Sequence, residues 1–331
     1  MEPMVSVIVA TRNRKALLAQ TLASLASQDW PFDRLEIVVA DNGSTDGTRT
    51  TVAAIARPAG GPTMHYLFVE PPGKSYAINA ALARAQGDLI LFTDDDVIAD
   101  SRWVRRIAAA FAETAADFVA GRILPRWEIP PPTWMSPRLY GVLAIPDGGN
   151  ARQVIGGGGT TDVMPIGANM AVRAHVLRRL GGLRADLGKL EGTLRTGEDH
   201  EFFLRMIRAN CRGVYEPSAV VRHLVPRERL RRRYFRRWLY QNGRDVARID
   251  RVYATGTRRL LGAPRYRWRV AALDAVRALQ AAATLDERSF LASGLCIVWF
   301  AGYLRETWLS HRHHDTAHDS SESAPAGAGA V

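Results

Sequence analysis

The sequence predicts an α/β fold: a mostly parallel sheet flanked by helices, continued by a helical C-terminal extension. Three observations carry this. Over about the first hundred residues, short β-branched runs alternate with stretches of helical periodicity. The turns between them are short and polar. Beyond about residue 227 the strand pattern gives way to basic segments of helical character.

The elements follow in order. Val5 to Val9 is a compact β-branched run and predicts a buried strand. Lys15 to Ser27 carries Leu17, Leu18, Leu22 and Leu25 at helical spacing. Glu36 to Ala40 predicts a second strand, closed by the turn Asp41-Asn42-Gly43-Ser44. Thr45 to Ala56 predicts a helix, broken by the Pro/Gly cluster from Arg57 to Pro62. His65 to Val69 predicts a third strand, Ser75 to Ala85 a helix, and Leu89 to Phe92 a fourth strand running into Asp94-Asp95-Asp96. Strand and helix in alternation imply a parallel sheet covered on both faces. Such sheets bind ligands beyond the carboxyl ends of their strands. Thr11-Arg12-Asn13, Asp41 to Ser44 and Asp94 to Asp96 all fall there.

Further on, Gly121 to Pro125 predicts a strand ending at the proline, followed by a Pro- and Trp-rich loop and the Gly156 to Gly159 tract. Met170 to Leu180 and Asp199 to Ala209 predict helices. His223 follows the run Ala219-Val220-Val221 and is expected at a strand end. The expected division is an α/β domain over 1–226, a basic, mostly helical extension over 227–310 and a disordered tail over 311–331.

Formal net charge is +11, which favours polyanionic partners: nucleic acid, anionic lipid or phosphorylated substrates. Cys211 and Cys296 fit no metal-ligand spacing and no disulfide framework, as in a reducing compartment. The N-terminus lacks the pattern of a secretory leader, and Phe290 to Leu304 is too short for a spanning helix. A cytoplasmic location is the expectation; the basic helical region and Phe290 to Leu304 suggest either peripheral contact with the cytoplasmic face of the membrane or a solvated basic face beside a buried core helix.

Several residues suggest chemistry. Three adjacent carboxylates repel one another, and a divalent cation such as Mg²⁺ or Mn²⁺ relieves that repulsion. A solvated turn or helix cap is the competing explanation for the triplet. Asp41 would accept hydrogen bonds from a base or ribose, and Asp46 would cap a helix. Pro72-Gly73-Lys74-Ser75 ends like a phosphate loop, but Phe68 stands where that loop needs glycine. Lys74 would still meet a diphosphate as a point charge. Gly197-Glu198-Asp199 places carboxylates at a helix N-terminus, where an ionised one would serve as general base.

Taken in order, these motifs resemble family 2 glycosyltransferases of the GT-A, Rossmann-like fold. The resemblance rests on Val5 to Asn13, Val39 to Asp46, Gly73 to Asn79, Gly87-Asp88 with Phe92 to Asp96, Gly167 to Arg173, Gly197 to Asp199, and His223. It covers roughly residues 4–230. It implies an inverting transferase that uses a nucleotide-sugar donor, with a UDP-sugar expected, and a divalent cation, Mn²⁺ or Mg²⁺. The implied donor contacts are Thr11, Arg12, Asp41, Lys74, Asp94 and Asp95. The implied metal ligands are Asp95, Asp96 and His223, and the implied general base is Asp199.

The resemblance further implies a glycan or lipid-linked acceptor, as in polysaccharide biosynthesis, and no nucleic acid. Ala10 departs from a common family proline. Tyr234, before Phe235-Arg236-Arg237-Trp238, replaces the glutamine of the processive synthases' motif, which implies single-sugar transfer. Two rivals remain on sequence grounds: a sugar-phosphate nucleotidyltransferase, though Ala10 to Arg14 lacks a Gly-rich loop, and a nucleic-acid binder using Arg227 to Arg237.

Overall fold

The computed structural model describes residues 2–56, 60–156, 163–190, 192–254 and 256–322, with side chains to residue 309. Part of the 57–62 breaker, most of the glycine tract after Gly156, and residues 323–331 lie outside the described residues. The chain forms two compact units, Met1–Tyr234 and Phe235–Val331.

The first unit is built in this order: β1 Val5–Thr11, α1 Lys15–Ala26, β2 Leu35–Asp41, α2 Thr48–Ile55, β3 Thr63–Phe68, α3 Lys74–Arg84, β4 Leu89–Asp94, β5 Val97–Ala99 and α4 Trp103–Glu113. β6 Phe118–Trp127, β7 Gln153–Ile155, β8 Met170–Arg173, α5 Ala174–Leu180, α6 Glu198–Arg208 and β9 Gly213–Val225 complete it. The strands form one mixed sheet in the order β3-β2-β1-β4-β8-β6-β9-β5, with β7 added to β9. β3, β2, β1 and β4 run parallel, and β8 is antiparallel to both β4 and β6.

Both faces of the sheet are covered. Alternate residues of a strand face opposite layers, and both sets are buried: Ile8, Val38 and Ile90 on one side, Val7, Val39 and Leu91 on the other. Ile8, Val38, Ile90 and Phe92 pack in one cluster with Ala77, Ile78 and Ala81 of α3 and with Phe202 and Met206 of α6. Each of the larger side chains, the alanines apart, contributes roughly 1.5–3 kcal/mol by leaving water.

Three elements differ from the sequence reading. Met170 to Arg173 is a strand, and the helix begins only at Ala174. Met170, Ala171 and Val172 are fully buried between β4 and β6, and that pairing overrides a locally helical composition. β6 continues through Pro125. Beyond Ala120 it has lost β8 and pairs only with β9, so the missing proline N–H interrupts no second ladder. His223 lies inside β9, opposite Val97 on one side and Pro125 on the other, rather than at a strand end.

The second unit contains most of α7 (Arg232–Tyr253), then α8 (Arg265–Ala283) and α9 (Glu287–Glu322). α9 extends into the segment over which the sequence predicts a disordered tail. Val246, Ala247, Ala263, Phe300 and Tyr303 form its core. A Cβ on Gly243 would collide with the backbone carbonyl of Trp299, so glycine sets the approach of α7 to α9. Buried charges are paired: Asp250 accepts from Arg267 at 2.8 Å and from the Tyr303 hydroxyl at 3.0 Å. Among the described residues, no helix is long and apolar enough to cross a membrane.

Candidate active site

Register brings the polar strand ends together. Thr11 lies opposite Asp41, and Ala10 opposite Asp94, so β1, β2 and β4 end at one edge. The Asp41 carboxylate is buried and engaged on both oxygens, accepting from Ser44 N–H at 2.8 Å and the Tyr66 hydroxyl at 2.7 Å. Asp46 accepts from the first N–H of α1 (Lys15, 2.9 Å) and the first of α2 (Thr48, 3.1 Å), which is the capping role expected of it. Arg12 occupies the turn just after Thr11.

Alternation divides the aspartates. Asp94 pairs with the Lys74 ammonium at 2.6 Å. Asp95 accepts from the Thr11 hydroxyl at 2.8 Å and from Arg14 at 2.9 Å. Asp96 accepts from the same Arg14 nitrogen at 2.9 Å, and Arg229 lies 4.0 Å away. The sequence reading overlooked Arg14 and did not separate Arg229 from the rest of the basic run. An arginine at the N-cap of α1 offers no capping signal, and only tertiary folding shows which basic residue meets the carboxylates.

Among the described residues, the one cluster suited to a metal ion is Asp94, Asp96 and His223, whose candidate donor atoms lie within 4.8 Å of one another. This differs from the expected set of Asp95, Asp96 and His223, because Asp95 turns toward Thr11 and Arg14. His223 Nδ1 lies 3.1 Å from the Leu143 carbonyl, which only accepts, so Nδ1 carries the proton. In the neutral ring, the Nε2 lone pair then points at Asp96 Oδ1, 3.2 Å away. That oxygen is buried and makes no hydrogen bond of acceptable geometry. Either a proton on Nε2 or a cation between the two atoms satisfies this pair, and a carboxylate–imidazole donor set suits a divalent ion. The residues present therefore fit such an ion.

Lys74 connects this cluster to α6. Burial lowers the Lys74 pKa, but the charges of Asp94, Asp199 and Glu198 outweigh it, and Lys74 stays firmly protonated. Asp199 Oδ2 accepts from Gly167 N–H at 2.9 Å; its other oxygen has no hydrogen-bond partner among the described residues. A Cβ on Gly167 would sit 2.9 Å from that second oxygen, so glycine permits the approach. Burial raises the Asp199 pKa, with Lys74 and the Gly167 N–H opposing. Glu198 is more deeply enclosed, and burial together with the Asp199 charge pushes it up to about 7. The loop before α6 is tied to α3 through Lys74 N–H on the Lys189 carbonyl (3.1 Å) and the Ser75 hydroxyl on that of Leu187 (3.0 Å).

Comparison with known proteins agrees with this geometry. The profile of Glycosyl transferase family 2 matches residues 6–180. The chain is 36% identical over 115 residues to validoxylamine A glucosyltransferase of Streptomyces hygroscopicus subsp. jinggangensis, covering 34% of this chain and 26% of the relative. It is 26% identical over 227 residues to the pre-mycofactocin glycosyltransferase of Mycobacterium tuberculosis, covering 66% of this chain and 42% of the relative. It thus spans less than half the length of either relative.

Among solved structures, the mannosyltransferase PcManGT from Pyrobaculum calidifontis, in complex with GDP-Man and Mn²⁺, superposes with a TM-score of 0.65. That match has 22% identity and covers 93% of this chain and 88% of the other. Staphylococcus aureus TarS 1-349 in complex with UDP gives 0.54 at 17% identity, covering 93% and 91%. The fold is of the GT-A type.

Proposed function

The chain belongs to glycosyl transferase family 2, and from that premise we propose that it moves a single sugar from a nucleoside-diphosphate sugar, a UDP-sugar in the first instance, to a hydroxyl of a glycan or lipid-linked acceptor. The observation that carries this reading is the juxtaposition, through Lys74, of two sites. One is the Asp94–Asp96–His223 cluster, buried at Asp96 and His223 and half-buried at Asp94; the other is the Asp199 carboxylate with one oxygen anchored and one open. A site for a cation and diphosphate beside a site for a base is what direct displacement at a sugar carbon requires.

On this reading Thr11, Arg12 and Asp41 lie along the nucleoside, and Lys74 meets the diphosphate. Asp94, Asp96 and His223 hold Mn²⁺ or Mg²⁺, and Asp95 acts through Thr11 and Arg14 instead of as a ligand. The ion supplies charge neutralisation on the departing diphosphate. Asp199 takes the proton of the acceptor hydroxyl, whose oxygen attacks the anomeric carbon on the face opposite the leaving group. The glycosidic bond to phosphate breaks as the new bond forms, which inverts the anomeric centre. The Gly167 N–H holds the base in place, and its raised pKa makes it a better proton acceptor than an ordinary aspartate. Tyr234 in place of glutamine supports one transfer per encounter.

A thermal-shift panel of nucleotide sugars, with and without Mn²⁺, tests the reading directly. Stabilisation by at least one donor, dependent on the metal, is expected; no such stabilisation by any donor sinks it.

The second unit supports a lipid-linked acceptor met at the cytoplasmic face of a membrane. α8 exposes Tyr266, Val270 and Leu273 at helical spacing, with the exposed Arg269 and Arg277 on the same stripe. Apolar and cationic groups on one face suit an anionic bilayer surface. Flotation with anionic vesicles at moderate salt should carry the protein upward, and Leu273→Glu should abolish this. Failure of the unmodified chain to float removes the membrane from the reading.

A further inference from the structure

We infer that Arg14 is a built-in counter-ion that makes divalent-cation binding depend on the nucleoside diphosphate. The inference rests on the donor site proposed above and concerns its order of assembly.

Arg14 occupies the N-cap of α1, a position that favours Ser, Thr, Asp or Asn. Its side chain does no capping, since Asp46 serves the Lys15 N–H. Instead one guanidinium nitrogen reaches both Asp95 Oδ1 and Asp96 Oδ2, each at 2.9 Å. Lys74 holds Asp94 at 2.6 Å, and Arg229 lies 4.0 Å from Asp96. The three carboxylates of the triplet thus face three cations before any ion enters, while Lys189 and Asp199, both within electrostatic reach of Lys74, add one charge of each sign. Asp95 and Asp96 are almost wholly buried, so solvent does little to screen this balance.

A divalent ion arriving alone adds two positive charges to a pocket already neutral. Its ligands would include Asp96, shared with Arg14, and Asp94, shared with Lys74. A nucleoside diphosphate brings at least two negative charges and restores neutrality, so ion and nucleotide bind well together and poorly apart. Coupling between two ligands is reciprocal: each must raise the other's affinity by the same factor. The usual span of such coupling corresponds to about 5–150-fold. Without Arg14 the pocket carries an excess negative charge, and the ion no longer needs the nucleotide.

The test is titration of the full chain with Mn²⁺, followed by free-ion electron paramagnetic resonance and calorimetry, alone and with UDP or GDP. For the unmodified protein, Mn²⁺ affinity should rise about 10–100-fold with nucleotide, and nucleotide affinity by the same factor with Mn²⁺. Arg14→Met should bind Mn²⁺ alone roughly tenfold more tightly than the parent and lose most of the coupling. Arg14→Lys should behave as the parent. Adding Asp95→Asn to Arg14→Met should restore weak binding of Mn²⁺ alone.

A merely structural arginine would make Arg14→Met weaker toward Mn²⁺ under both conditions, and that result overturns the inference. So does a parent protein that binds Mn²⁺ equally with and without nucleotide. If Arg14→Met does not fold, Arg14→Gln, which keeps a polar side chain without the charge, takes its place with the same expected and overturning results. If neither nucleotide binds at any Mn²⁺ concentration, the donor site itself is wrong, a result distinct from loss of coupling alone.

Discussion

His223 Nε2 lies 3.2 Å from Asp96 Oδ1, while His223 Nδ1 faces the Leu143 carbonyl at 3.1 Å. The carbonyl engages Nδ1 and leaves Nε2 facing an acidic oxygen that has no other hydrogen-bond partner among the described residues. His223→Ala should therefore raise the Mn²⁺ concentration needed for half-maximal transfer by about tenfold to a hundredfold, comparable with losses on disturbing metal shells elsewhere. Unchanged Mn²⁺ activation would remove His223 from the ligand set.

Asp199→Asn keeps the Gly167 hydrogen bond but cannot take a proton. Turnover should fall roughly 10²–10⁴-fold, while donor affinity in the presence of Mn²⁺ changes little. A variant with near-normal turnover would exclude Asp199 as the base. With Asp199 as the proposed base, the ionised carboxylate would be the active form, and burial raises its pKa. Activity should consequently rise with pH along an acid limb that lies above the ordinary aspartate range.

Glu198 gives a separate pH signature in stability. Its folded pKa is raised from 4.5 to about 7 by burial and the Asp199 charge. The folded state binds the proton more tightly than the unfolded state. Stability linked to this group is thus present in full below about pH 4.5 and is lost as pH rises through about 7. Glu198→Gln should remove that loss. The variant should gain on the parent protein between these limits by an amount on the order of 3 kcal/mol. Parallel urea curves across the pH range would refute it.

Asn169 belongs to the scaffold under the site. Its amide donates to the carbonyls of Arg122 and Ala219, each at 2.9 Å, and its oxygen accepts from Trp103 Nε1 at 2.8 Å. Asn169→Leu fills similar space and orphans three buried polar groups. A loss on the order of 3 kcal/mol or more in urea unfolding is expected. Loss below about 1 kcal/mol would mean that other groups or water take over these bonds.

Much of this was legible in the order of residues. The β-branched runs ending in Thr11, Asp41 and Asp94 determined a sheet with three polar strand ends. The motif series from Val5 to Arg173 falls almost wholly within the residues that the family profile matches. Local pattern suffices there, because buried strands and polar turns each write a short-range signature. The nucleotidyltransferase alternative, still open on sequence grounds, gives way once the family match covers residues 6–180; the basic run Arg227 to Arg237 lies outside that match.

What the sequence could not express is orientation. Which aspartate meets His223 depends on the twist of the chain between β4 and β5, and on an arginine eighty-one positions from Asp95 that claims that residue. Met170 to Arg173 became a strand only because β4 and β6 leave a gap for it. The triple aspartate was thus determined as an acidic strand end by sequence alone. Its division into Asp94 and Asp96 beside His223 and Asp95 on Arg14 was decided by tertiary packing, because long-range contacts have no local pattern to announce them.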